Sequence, residues 1–163
     1  MAQRALNVLF VCEKNSIRSI MAEALLNRFG DGHFRAFSAD LEPATEIHPL
    51  MLELLKGSNL PINGLKLSSV REFMAAGAPR MDFVICMGSK DMAAAVRGLP
   101  GHPMLVQWGI SDPVVSEKDL VAKRFAFRRA FRELENRIRL FVLVQQKPTA
   151  ARVYDEPQQA QNA

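Results

Sequence analysis

The chain has 163 residues, 48% of them hydrophobic and 23% charged, with a formal net charge of +4. That is the length and composition of one globular domain, and it excludes wholesale disorder. No apolar run approaches the ~20 residues of a membrane helix, and the Leu6–Cys12 run lacks the form of a secretory signal, so a soluble, cytoplasmic protein is expected. Two cysteines are too few for a disulfide scaffold. His33, His48 and His102 have no Cys or carboxylate at metal-ligand spacing, so no metal site and no cofactor are expected.

In chain order, Leu6–Val11 reads as a buried strand and Cys12–Arg18 as a short polar loop. Ser19–Phe29 reads as a helix with Ser19 as its cap and Gly30 as its stop. His33–Ala39 predicts a second strand, His48–Lys56 a helix, 57–68 a loop and Ser69–Ala76 a short helix capped by Ser69. Asp82–Met87 and Met104–Trp108 predict the third and fourth strands, with a helix over Ser89–Val96 between them. Phe127, Phe131, Leu134, Ile138 and Phe141 recur every three or four residues and make one helical stripe, outside which Arg124, Arg128, Arg129, Arg132 and Arg139 fall. Residues 1–145 form the expected domain, and 146–163 a polar, disordered tail. The alternation predicts an α/β single domain, a four-stranded parallel sheet with helices on both faces. Ligands bind such folds at the carboxyl ends of the strands, where Cys12–Arg18 and Trp108–Pro113 both fall.

Cys12 and Arg18 are separated by Glu13, Lys14, Asn15, Ser16 and Ile17. A loop of that length between a strand and a helix can turn successive backbone N–H groups inward and cradle an anion at the helix N-terminus. Arg18 can fork onto two oxygens of a tetrahedral oxyanion, with Cys12 facing the central atom. The same field predicts a thiol pKa drawn well below neutrality. Ser19 is expected to donate its hydroxyl to the thiolate, and Asn15 to take a left-handed backbone that braces the loop.

Val8–Cys12, Asn15–Ser19 and Met21–Leu26 together resemble the signature of the low-molecular-weight protein tyrosine phosphatase family, which includes thiol-dependent arsenate reductases. Phe34–Ala39, Pro100–Met104 and Trp108–Pro113 are more similar to the reductase branch. The likeness runs from Leu6 to Val144. It implies Cys12 as nucleophile, Arg18 and the loop residues Glu13, Lys14, Asn15, Ser16, Ile17 and Ser19 around the substrate, and Asp112, in Asp112-Pro113, as general acid. Expulsion of an alkoxide or phenoxide from phosphorus requires a proton, and the carboxylate left behind can activate water against the thiophosphate intermediate.

Three positions depart from the family pattern. Lys14 stands where the family has Gly two residues after the nucleophile; it either points outward or adds charge at the pocket mouth. Only Cys86 accompanies Cys12, and the relay cysteine of the reductase pattern would fall at Gly88, so Cys86 is read as structural. Val114 follows Asp112-Pro113 where phosphotyrosine enzymes often carry an aromatic residue. The expected activity is therefore hydrolysis of a small phosphomonoester through a Cys12 thiophosphate. The alternatives are arsenate reduction with an external thiol, glutathione or mycothiol, helped by a glutaredoxin- or mycoredoxin-type partner, and a catalytically impaired oxyanion sensor. The arginines of the last helix read as a solvated face and not a nucleic-acid site, because Glu133 and Glu135 interrupt them and no aromatics interleave.

Overall fold

The computed structural model describes residues 3–88, 92–114 and 119–146. Four parallel strands lie in the order β2-β1-β3-β4: β1 (Leu6–Lys14), β2 (Phe34–Glu42), β3 (Phe83–Cys86) and β4 (Met104–Gln107). The helices are α1 (Ile17–Phe29), α2 (Pro49–Gly57), α3 (Val70–Met74), α4 (Met92–Ala95) and α5 (Leu120–Gln145). β1 is central because its Val8-Leu9-Phe10-Val11 run is apolar on both faces, and all four residues are fully buried.

The two faces carry separate cores. Val8, Phe10 and Cys12 pack under α1, α2 and α5, whereas Leu9, Val11 and Cys86 pack under α3 and α4. On α5 the buried stripe is Phe127, Ala130, Leu134, Ile138 and Val142; Phe131 and Phe141 are only partly buried. The stripe leans slightly from the one predicted, and the five arginines outside it are exposed as expected.

Three boundaries differ from the sequence reading. β1 runs on through Cys12 to Lys14, which leaves only Asn15 and Ser16 of the expected Cys12–Arg18 loop outside an element. β2 runs on to Glu42, which brings Asp40 beside Cys12 in the register. α1 begins two residues before Ser19, and its cap is Ser16, whose side chain makes no cap hydrogen bond to the helix. Its hydroxyl instead accepts the Ala44 N–H at 3.2 Å, so the residue is held from outside the helix. Residues 89–91 of the predicted fourth helix and the predicted tail beyond 146 lie outside the described residues.

Gly30 does end α1, donating its N–H to the Leu26 carbonyl at 2.8 Å, but with an ordinary negative φ. Space is what requires glycine: a Cβ there would stand 2.6 Å from the Leu26 oxygen and 2.9 Å from the Phe34 ring. Gly30→Ala is expected to destabilise the fold by about 1–3 kcal/mol, the usual cost of overpacking. Urea denaturation reads it, and an unchanged midpoint would contradict the assignment.

Candidate active site

Cys12 lies near the carboxyl end of β1 and is fully buried. Only Asn15 and Ser16 separate β1 from α1, and both are left-handed, at φ 74° and 56°. A non-glycine residue held there costs of the order of 1–3 kcal/mol, so the surroundings must enforce the bend. They do so through three hydrogen bonds. Asn15 Nδ2 donates to Asp112 Oδ2 at 2.9 Å, the Ser16 N–H donates to Asp40 Oδ2, and Ala44 donates to Ser16 Oγ. Asn15 thus has the bracing role and conformation expected of it.

The left-handed turn answers the question posed by Lys14. Lys14 is still part of β1, has no positive φ and is exposed; two residues on from Cys12, it lies on the same face of the sheet. Glu13 is half-buried and turned toward Gly88 at the end of β3.

Ile17 and Arg18 open α1, whose first-turn amides have no intrahelical acceptor, and the Ser19 N–H acts on the Cys12 thiol. Ile17 packs in the core. Arg18 is buried; its Nη1 donates to the Ile110 carbonyl at 2.8 Å and its Nη2 lies 4.0 Å from Asp112 Oδ2. The loop after β4 is therefore tied to the loop after β1 through Ile110, Asp112, Arg18 and Asn15. Asp112 is further fixed by the Val114 N–H on its other oxygen, at 3.0 Å. The two loops meet at one sheet edge as the parallel topology requires.

Two expectations are corrected. The Ser16 amide is not turned to an anion pocket; it is satisfied by Asp40. The thiol is not depressed: burial pushes Cys12 up to about 12. Arg18 and the Ser19 hydroxyl and N–H favour the thiolate, but desolvation is the larger effect and the nearby Asp40 adds to it. The Ser19 hydroxyl, which acts on the thiol, also bonds Asp40 Oδ1 at 2.8 Å.

Asp40 is the residue that sequence reasoning missed. Its register with Cys12 places both side chains on the α1 face of the sheet. The available signal was an acidic residue closing the buried run Ser38-Ala39-Asp40.

Cys86 is buried on the opposite face, beside Leu9 and Val11, and burial raises its thiol. A Cβ at Gly88 would meet the flexible side chains of Met92 and Glu13, so a second thiol there would require both to move. Beside the site, Asn15, Ile17, Ala44, Glu46, Ile47, His48, Pro49 and Val114 line a cleft of about 220 Å³, its aliphatic wall interrupted by the Glu46 carboxyl and the His48 ring. Among the described residues no helix is long and apolar enough to cross a membrane.

The model of the low-molecular-weight phosphotyrosine protein phosphatases matches residues 7–152. An arsenate reductase of Halalkalibacterium halodurans is 26% identical over 134 residues, 82% of this chain and 93% of that protein. The structure of a thioredoxin-dependent arsenate reductase of Corynebacterium glutamicum has a TM-score of 0.62 and 26% identity over 90% of this chain; the match spans 66% of that chain. The structure of a low-molecular-weight protein tyrosine phosphatase from T. tengcongensis gives a TM-score of 0.67 over 88% of this chain and 100% of that one, at 22% identity, a likeness of fold. With the Cys12–Arg18 loop and its facing aspartate in place, this chain belongs to the low-molecular-weight phosphotyrosine protein phosphatase family, whose members include both phosphatases and arsenate reductases.

Proposed function

We propose that the protein hydrolyses a small phosphomonoester through a thiophosphate on Cys12. The acid of this cycle is Asp112, hydrogen-bonded to Asn15 and 4.0 Å from Arg18, and the observation that favours hydrolysis over reduction is Cys86, buried on the face of the sheet opposite Cys12. Asp112 can protonate a leaving alkoxide, but hydroxide displaced from arsenate would take the same proton; what weighs against reduction is that no second thiol stands on the Cys12 face of the sheet among the described residues.

Arg18 and the first-turn amides take the phosphoryl oxygens, and the Cys12 thiolate attacks phosphorus in line with the ester oxygen. Asp112 gives its proton to that oxygen as the P–O bond breaks. The alcohol leaves, and Asp112, now a carboxylate, removes a proton from the water that splits the S–P bond. Phosphate and the Cys12 thiolate result. No aromatic residue stands at Val114 to stack on a phosphotyrosyl ring, which favours a compact leaving group.

Arsenate reduction with an external thiol is the second reading, favoured by the likeness to arsenate reductases. With Cys86 on the far face of the sheet, electrons would have to come directly from glutathione or mycothiol, or through a glutaredoxin- or mycoredoxin-type partner. One paired assay separates the readings: release of phosphate from an aryl phosphate, and release of arsenite from arsenate with either thiol. Phosphate release alone is expected. Arsenite release without phosphate release would replace the first reading with the second, and neither activity would leave the oxyanion-sensor reading.

A further inference from the structure

Asp40 has no exposed surface, and among the described residues it forms no ion pair. A buried carboxylate held in this way costs several kcal/mol, and a loop brace could be made by a neutral side chain. Its two oxygens are used differently. Oδ2 takes the Ser16 N–H, which fixes the bend. Oδ1 takes the Ser19 hydroxyl at 2.8 Å, and Ser19 in turn acts on Cys12 through both its hydroxyl and its N–H.

A hydroxyl has one proton. While Ser19 gives it to Asp40, its oxygen offers Cys12 only lone pairs and can accept from the S–H. The reversed arrangement uses the same heavy-atom positions: Asp40 protonated on Oδ1 donates to Ser19, and Ser19 donates to the thiolate. The two arrangements hold the same number of protons and carry the same net charge; they differ only in where those protons sit.

We propose that Asp40 is a positioning residue that takes the Cys12 proton through Ser19, making the thiolate without releasing a proton to water. The S–H bond breaks as an O–H bond forms on Ser19, whose own proton passes to Asp40 Oδ1; no electrons are transferred. This rests on the reading of Cys12 as the nucleophile. It explains how a fully buried thiol becomes usable at neutral pH: the negative charge moves from one buried group to the other, and none is added. The charged and polar groups facing the pair are Ser16, Arg18 and Ser19 from α1, with Cys12 on β1 and Asp40 on β2. Arg18 favours the anion on either group, while burial raises both. Asp112 reaches Arg18 and Asn15 from the loop after β4.

The test is a titration of thiolate ultraviolet absorbance, taken as the protein minus Cys12→Ser, which needs no reagent to reach the buried sulfur. Two groups sharing a proton titrate as a pair. The wild type is expected to gain thiolate in an acid step, hold a plateau through neutrality and gain the remainder in an alkaline step. Asp40→Asn keeps the shape and an acceptor for Ser16, and is expected to show one step and no plateau. Ser19→Ala cuts the connection; only the alkaline step is expected, with thiolate at neutrality at least about tenfold lower, equivalent to one pKa unit. A single step in the wild type overturns the proposal even if neither variant folds. Equal two-step profiles in the wild type and Asp40→Asn overturn it as well, since a mere brace leaves the profile unmoved. Two steps without phosphate-ester turnover would sink the hydrolytic reading and leave the relay. Cys12-dependent turnover with one step would do the reverse.

Discussion

Cys12→Ser is expected to lower the hydrolysis of an aryl phosphate by about 10⁴-fold or more, the scale seen when a catalytic nucleophile is removed. A serine hydroxyl is far less acidic than a thiol. At a site whose burial already pushes the thiol up to about 12, the hydroxyl has no means of ionising. Arg18 and the first-turn amides of α1 survive the substitution, so inorganic phosphate should still inhibit or bind with affinity close to the wild type. Steady-state kinetics beside phosphate calorimetry reads both halves. Turnover within tenfold of the wild type would remove Cys12 from the chemistry, and loss of phosphate binding along with turnover would point to collapse of the loop.

Asp112→Asn is expected to cost about 10²–10³-fold with an alkyl phosphate, whose alkoxide must be protonated to leave. In kcat/KM, which reports the steps up to departure of the alcohol and not the later attack of water, the loss should shrink to about tenfold or less with an aryl phosphate that expels a stable phenoxide, because the leaving group no longer needs the acid. The comparison is needed because Asp112 also has a structural task. Its two oxygens accept from Asn15 and from Val114. An asparagine presents one acceptor, so one of those bonds is lost and the rim loosens. A positional defect lowers both substrates alike. A loss that grows with the basicity of the leaving group assigns proton transfer to Asp112; equal losses would reduce it to a brace.

The chemistry that the sequence shows best is local. The apolar run of β1, the helical stripe of α5, the stop at Gly30 and the Ser69 cap all depend on neighbours within a few residues. The meeting of the Cys12 and Asp112 loops also follows from the sequence, because parallel topology sends both to one edge. Asp40 was out of reach because its importance comes from pairing: only the β1–β2 register sets it opposite Cys12. The start of α1 was misplaced for a related reason. Ser16 bonds Ala44, 28 residues away, and not its own helix. The sequence displays the cation and the helix end that favour the thiolate, whereas the desolvation that opposes them exists only once the core has closed over β1. Lys14 departs from the family pattern without disturbing the loop, as the left-handed bend falls on the two residues after it.

The central claim is a covalent bond between Cys12 and phosphorus, and the most direct measurement is to trap it. Asp112→Asn slows water attack as well as ester cleavage, so an aryl phosphate with a good leaving group should load the enzyme faster than it empties. Rapid quenching into denaturant followed by mass analysis of the Cys12 peptide is expected to find one phosphoryl group there, absent from Cys12→Ser and from the Cys86 peptide. Turnover of the same substrate with Cys12 always unmodified would contradict the account.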